Sequence, residues 1–520
     1  ALAFERANAY SIVPMTSRVA AGFGSTIWQG AYLAGVALAV LVVAVLAARW
    51  QPLWYDELFT LYVASEASLG ATLKALLAGA DTNPPVDYVL RHASLALLGD
   101  SAMAFRVPSA LAFVGGLFAI YAFVRRRTGF AAAAAAFALP VLSVTTYFSH
   151  EGRAYAMLFA SAPVALWAWQ RATERESPAA RLPVLFLALC LGPYSHYFGV
   201  LNFVPVAAGE AWRSYRRRAI DGGILGTIGA ACIATLGLLA FAHSAATMKQ
   251  AFWASGYRAA DIPGYYTGFL GWAGWAWLAA FALAACLALL GRRSRPEAMR
   301  CEALPQHEIV AACVLALTPV SAYVLARLLT GALTAKYAIA FVPGMAILFG
   351  YLLSVIEDWR RPAALLAVGA LTLLGLARFT ADALAYRDDV PTPMRLATLL
   401  PQGSTLPVAF DSPHLFLETV HYQPQFADGR FQYPMDAASA LAVRGFNNDE
   451  IALRGLTAIK PLNVLDYREF LLRNREFLVV FSRDFWPGLV AALKRDGYCL
   501  QPVAEDDTTV LLHAFPGCHW

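Results

Sequence analysis

The chain has 520 residues, 59% of them hydrophobic and 14% charged, with a mean hydropathy of +0.53. Soluble domains carry roughly a quarter charged residues, so composition excludes a wholly soluble protein and predicts a polytopic α-helical membrane protein with one soluble region. A net charge of +5 does not suggest a nucleic-acid partner, and seven cysteines without a CxxC pair signal no zinc site.

Residues 1–26 are set apart as an N-terminal segment, expected to be in part a remnant of expression. Eleven apolar runs then predict membrane-crossing helices near 27–48, 103–124, 129–148, 154–170, 182–199, 200–212, 222–243, 265–291, 308–328, 337–356 and 362–380. The stretch "PPVDYVLRHASLALLG" (84–99) is too short to cross. It reads as an interfacial amphipathic helix, with Asp87, Arg91 and Ser94 on one stripe and Val86, Val89, Leu90, Ala93 and Leu97 on another.

Charge orients the spans, because short inner connections are rich in Lys and Arg. With the N-terminus inside, the inner connections carry Arg125 to Arg127; Arg171, Arg175 and Arg181; "RSYRRR" (213–218); "RRSRPEAMR" (292–300); and Arg360 with Arg361. Counting 84–99 as a span would invert every later connection. The long first loop (49–102) and the C-terminal domain (381–520) therefore lie outside, which for a bacterial inner membrane is the periplasm. The catalytic part is expected to be the membrane domain, 27–380.

The C-terminal part alternates strand-like "LPVAF" (406–410), "EFLVVFS" (476–482) and "TTVLLHAF" (508–515) with helix-like "FWPGLVAALKRDG" (485–497). That predicts a small α/β domain. No Gly-rich nucleotide loop follows its strands, and its expected task is scaffolding or acceptor docking. Cys499 and Cys518 both fall in it and can pair if the domain is exported.

Polar residues gather at the outer boundary. They are Asp56 and Glu57 in "PLWYDELFTLY" (52–62), "DTNPPVDY" (81–88), "YFSHEGRAY" (147–155), "PYSHYFG" (193–199), "KQAFWASGYRAADIPGYY" (249–266) and "TAKYAIAFVPG" (334–344). Ionisable groups at a membrane boundary are functional candidates. A carboxylate can take a proton from an acceptor hydroxyl, a cation can hold a departing phosphate, and aromatic rings can line a sugar pocket. The set suits glycosyl transfer from a lipid-linked phosphate sugar, a donor that needs no nucleotide site.

Five motifs in order, "WYDE" (54–57), "NPPVDYVL" (83–90), "AFRVPSAL" (104–111), "YFSHEGRAYAM" (147–157) and "KYAIAFVPG" (336–344), make residues 50–380 resemble the GT-C glycosyltransferase superfamily. The resemblance is to the bacterial branch with protein O-mannosyltransferases, lipid A aminoarabinose transferases and rhizobial galacturonic-acid transferases. It implies an acidic base in the first outer loop, which maps to Asp56, and a polyprenyl-phosphate sugar donor. Asn83 stands where many relatives have His or Lys, and Lys336 where they often have Arg.

The resulting assignments are Asp56 and Glu57 as catalytic. Arg153, Lys336, His196, Tyr194 and Tyr337 are assigned to the donor phosphate, and Asn83, Asp87, His150 and Glu151 to acceptor or sugar. Asp56, Glu57 and Glu151 offer oxygens for a divalent cation, Mg or Mn. The expected acceptor is an envelope glycolipid, glycan or protein. Bland readings stand beside these: helix capping for Asp56, loop support for Glu57, a local ion pair for Arg153 and snorkelling for Lys336. Competing functions are a flippase for lipid-linked sugars and an O-antigen ligase-like transferase with a pyrophosphate donor. The lack of an internal repeat argues against a transporter.

Overall fold

A computed structural model describes residues 15–174, 178–246, 252–291, 304–359, 361–388, 392–401, 403–426, 429–483 and 488–518. Arg175, Arg360 and the basic run 292–300, all used above to orient the spans, lie outside these.

All eleven apolar runs are helical, yet fewer than eleven are long, straight spans. Among the described residues four helices are long and apolar enough to cross a membrane: Thr26–Trp50, Ala102–Arg125, Gly222–His243 and Arg361–Leu396. A fifth is the pair Gln306–Ala316 and Thr318–Thr330, bent by 56°. The others are shorter because their runs are interrupted. Phe130–Leu142 stops at Ser143 and continues as a 3-10 turn, and the run 265–291 breaks at Gly271, whose φ is +50°. Short helices are tolerated where neighbouring protein covers them, and every residue from Ala131 to Leu142 is buried.

The Ala131–Ala136 run is a close-packing face, as small residues in membrane helices predict. A Cβ on Gly350 would lie 2.9 Å from the Ala136 Cβ and 3.0 Å from the Ala132 carbonyl oxygen. The long helices Phe341–Trp359 and Arg361–Ala385 approach Phe130–Leu142 along this face.

The helix Pro85–Leu98 forms where amphipathicity predicts, but with its polar stripe turned inward. Asp87, Arg91 and Ser94 are buried, while Leu90, Leu97 and Leu98 are exposed. The reason is a set of buried partners. Arg91 grips Asp87 through two nitrogens and donates to the carbonyls of Phe105 and Arg153 and to the Ser109 hydroxyl. The apolar stripe is left for lipid.

The C-terminal part is a six-stranded sheet of order β3-β2-β1-β4-β6-β5. Its strands are β1 (Val408–Phe410), β2 (Phe431–Met435), β3 (Val464–Asp466), β4 (Phe477–Ser482), β5 (Tyr498–Glu505) and β6 (Thr509–Pro516). The first four are parallel neighbours, whereas β6 lies antiparallel between β4 and β5, with Val479 opposite Leu512. Cys499 and Cys518 form a disulfide that ties the start of β5 to the chain's end.

This domain shares a hydrophobic core with the loop that follows the first long helix. Leu53, Tyr55, Leu58 and Phe59 pack with Phe410, Leu415, Phe416 and Phe431. Polar contacts fix the docking: the Tyr55 N–H donates to Glu418 (3.0 Å) and its hydroxyl to the Asp449 carbonyl (3.1 Å).

Candidate active site

The helix Tyr55–Ala64 begins immediately outside the first span and carries both acids in its first turn, where the helix dipole favours carboxylates. The two diverge completely. Asp56 opens into a cavity of about 450 Å³, and Glu57 points into protein.

Glu57 is fully buried. Its Oε1 accepts from Arg106 Nε at 2.7 Å, its Oε2 pairs with Arg106 Nη2, and the Gly152 N–H also reaches Oε1. Arg106 further donates to the carbonyls of Ala48, Gln51 and Pro52. Glu57 thus lies outside the cavity that Asp56 lines, and its contacts tie the first loop to the end of the first span and to "HEGR". Gly152 is required there, because a Cβ would lie 2.0 Å from a Phe105 ring carbon and 2.8 Å from Glu57 Oε1.

Arg153 lines the cavity beside Asp56. Its Nη1 donates to the Asp56 carbonyl (2.9 Å), the Thr60 hydroxyl (2.5 Å) and Asp81 Oδ2 (2.9 Å), while its buried Nε has no hydrogen-bond partner. Lys336, on the turn Ala335–Ala338, completes the cluster. Its Nζ is 3.7 Å from Asp56 Oδ2 and sits over the rings of Tyr155 (4.9 Å) and Trp54 (5.4 Å). The electron-rich ring faces attract the ammonium and hold it in place.

The structure thus brings Asp56, Asn83, Arg153, Lys336 and Tyr337 to one cavity. The remaining candidates are elsewhere. Asp87 is bound to Arg91 behind the site. Tyr194 donates to the Ala234 carbonyl at 2.8 Å, in a helix contact away from the cavity. His196 accepts the Phe198 N–H at 3.2 Å, and its ring packs behind Tyr337 at 5.0 Å, where it supports the wall without reaching the interior.

His150 is buried beside Phe379 and Tyr386, with neither ring nitrogen hydrogen-bonded. Burial, reinforced by the charge of Arg106, pushes its pKa down to about 3. Glu151 is also buried, with Oε2 unpaired. Burial pushes its carboxyl up to about 8 against the pull of Lys336. Asp56, Glu57 and Glu151 do not make a cation site: Glu57 is held by Arg106 and Asp56 pairs with Lys336. Among the described residues no group of three or more His, Cys, Asp or Glu could hold a metal ion.

Several lining groups escaped sequence reasoning. Asp81 and Tyr155 stand inside quoted motifs, and their adjacency to polar neighbours was the available signal. The C-terminal domain supplies His414, Phe446, Asn448 and Asp449 to the same cavity, and nothing local in the sequence marks them. The His414 ring stacks on Tyr55 at 4.0 Å, with Nε2 3.6 Å from Asp449 Oδ2. Burial works against its charged form, but Asp449, then Asp56 and Glu418, raise its pKa above the ordinary value.

Residues 82–246 match the family model for dolichyl-phosphate-mannose-protein mannosyltransferase. Two solved structures of ArnT from Cupriavidus metallidurans share the architecture. The form bound to undecaprenyl phosphate gives a TM-score of 0.59 at 13% identity, over 93% of this chain and 98% of that one. The apo form gives 0.60 at 15% identity, over 94% and 98%. No curated protein sequence matches significantly. Likeness at this identity shows a shared fold, and the segment matched by the family model contains Asn83, Arg91, Arg106 and Arg153.

Proposed function

We propose that the protein is an inverting glycosyltransferase. It moves a monosaccharide from a polyprenyl-phosphate-linked donor to a hydroxyl of an envelope acceptor, at the periplasmic face of the bacterial inner membrane. The observation that carries this reading is the Asp56–Lys336 pair, 3.7 Å apart, in a cavity that Arg153 also lines. One proton acceptor and two phosphate-binding cations meet there without a nucleotide loop.

The donor phosphate competes with Asp56 for Lys336 and frees the carboxylate. Asp56 then takes the acceptor's hydroxyl proton. The oxygen forms its bond to the anomeric carbon from the face opposite the phosphate as the carbon–oxygen bond to phosphate breaks. Polyprenyl phosphate leaves with the electron pair, its charge held by Lys336 and Arg153. A single displacement inverts the anomeric centre and forms no covalent enzyme intermediate. The undecaprenyl phosphate bound by the C. metallidurans ArnT structure supports this donor class. The Cys499–Cys518 disulfide supports an oxidising outer compartment for the C-terminal domain.

The deciding experiment incubates the purified protein in nanodiscs with radiolabelled polyprenyl-phosphate sugars and envelope extract. Asp56-dependent release of polyprenyl phosphate with transfer of label supports the reading. Label that crosses the bilayer without transfer would identify a flippase instead.

A further inference from the structure

The cavity is lined by two chemically different sets of groups. The membrane domain contributes Asp56, Arg153 and Lys336, and the C-terminal domain, together with Trp253, contributes a second set of lining groups. The second set is held together by a relay of contacts. The Trp253 N–H donates to Asn448 Oδ1 at 3.1 Å, and Asn448 Nδ2 donates to Asp449 Oδ1 at 2.7 Å. Asp449 Oδ2 faces His414, which stacks on Tyr55, the neighbour of Asp56. Trp253 itself is half exposed, at 49%.

We infer that this second set is the acceptor subsite and that its occupant is a sugar ring. The inference rests on the function proposed above. An apolar ring face suits the C–H face of a saccharide, and a carboxylate beside an imidazole suits its hydroxyls, since the carboxylate accepts and the imidazole ring can donate hydrogen bonds in fixed directions. Other acceptors fit less well. A peptide held in extended form needs a free strand edge, and no strand residue lines the cavity. A phosphate-bearing headgroup seated on these residues would meet the Asp449 carboxylate. The C-terminal domain therefore reads the acceptor's sugar while the membrane domain holds the donor's phosphate.

Saturation-transfer NMR on the full chain in nanodiscs, which carry no sugar headgroups, tests this with methyl hexosides, a capped serine peptide and octyl phosphate as probes. The expected result is saturation of a methyl hexoside that falls at least tenfold in Trp253→Ala and Asp449→Asn and returns in Trp253→Phe. The return in the Phe variant separates lost recognition from lost folding. Equal saturation in all variants, or variant-sensitive binding of the peptide or octyl phosphate in place of the hexoside, overturns the inference. Undecaprenyl phosphate binding is measured in parallel. Its loss in Lys336→Met but not in Asp449→Asn supports separate subsites. Its absence from the wild type would sink the donor reading while the hexoside result stands on its own.

Discussion

The Asp56 carboxylate is 3.7 Å from the Lys336 ammonium, and the same ammonium lies over the faces of Tyr155 and Trp54. Under the proposed mechanism the pair parts when a donor phosphate takes Lys336. Asp56→Asn removes the proton acceptor and keeps the shape, so turnover falls by ~10²–10⁴-fold with undecaprenyl phosphate affinity retained. Lys336→Met weakens that affinity, and Lys336→Arg restores it. Initial rates and lipid-phosphate binding on the same preparations check both. Near-wild-type turnover in Asp56→Asn would assign the base elsewhere.

Glu57 and Arg106 are predicted to matter for folding. Arg106→Gln leaves the Glu57 carboxylate buried without its partner, which costs about 3–5 kcal/mol. The double variant Glu57→Gln/Arg106→Gln removes both charges and keeps an acceptor for Gly152, and it recovers a large part of that loss. Thermal unfolding of the purified variants reads this directly. A Glu57→Gln variant that is fully stable and inactive would return Glu57 to catalysis.

Much of this arrangement was legible in the sequence for a physical reason. Membrane insertion sorts Arg-rich connections to one side, so counting them placed Asp56, Arg153 and Lys336 at a common boundary. Periodicity separated the two stripes of Pro85–Leu98 as well. It could not say that Arg91 would be buried, because which stripe is covered depends on Ser109 and the Phe105 carbonyl, supplied by another helix. The same limit hid the cavity's second set of lining groups. The contact of Tyr55 with Asp449 spans 394 residues and that of Arg153 with Asp81 spans 72. Neither leaves a trace in any local window. Tyr194 and Tyr155 are both tyrosines in polar motifs at the ends of apolar runs, and only packing distinguishes the one under Lys336.

Glu151 is predicted to set the upper pH limit of activity. Burial raises its carboxyl to about 8. Below that pH it is neutral and leaves Lys336 to Asp56 or the donor phosphate. Above it the carboxylate forms and competes for Lys336, so phosphate binding weakens as pH rises through about 8. Glu151→Gln stays neutral throughout and flattens this limb, leaving the rate at pH 7 within a few-fold. A pH profile of kcat/KM for the two proteins checks it, and an unchanged alkaline limb in Glu151→Gln would assign the limb to another group.

Glu418 makes the docking of the C-terminal domain pH-sensitive. Its carboxyl accepts the Tyr55 N–H, and burial raises its pKa to about 7 from an ordinary 4.5, with His414 and that N–H pulling it back. For an acid raised on folding, the stabilising difference is complete below 4.5 and disappears as pH rises through about 7. Glu418→Gln keeps an oxygen for Tyr55 but has no charge to bury. Its stability relative to wild type therefore climbs between pH 5 and 8, by on the order of 2–3 kcal/mol. Unfolding midpoints of both proteins across that range test the sign. Parallel curves would mean that the folded state does not favour protonated Glu418, and that the seat of Tyr55 beside Asp56 is insensitive to pH.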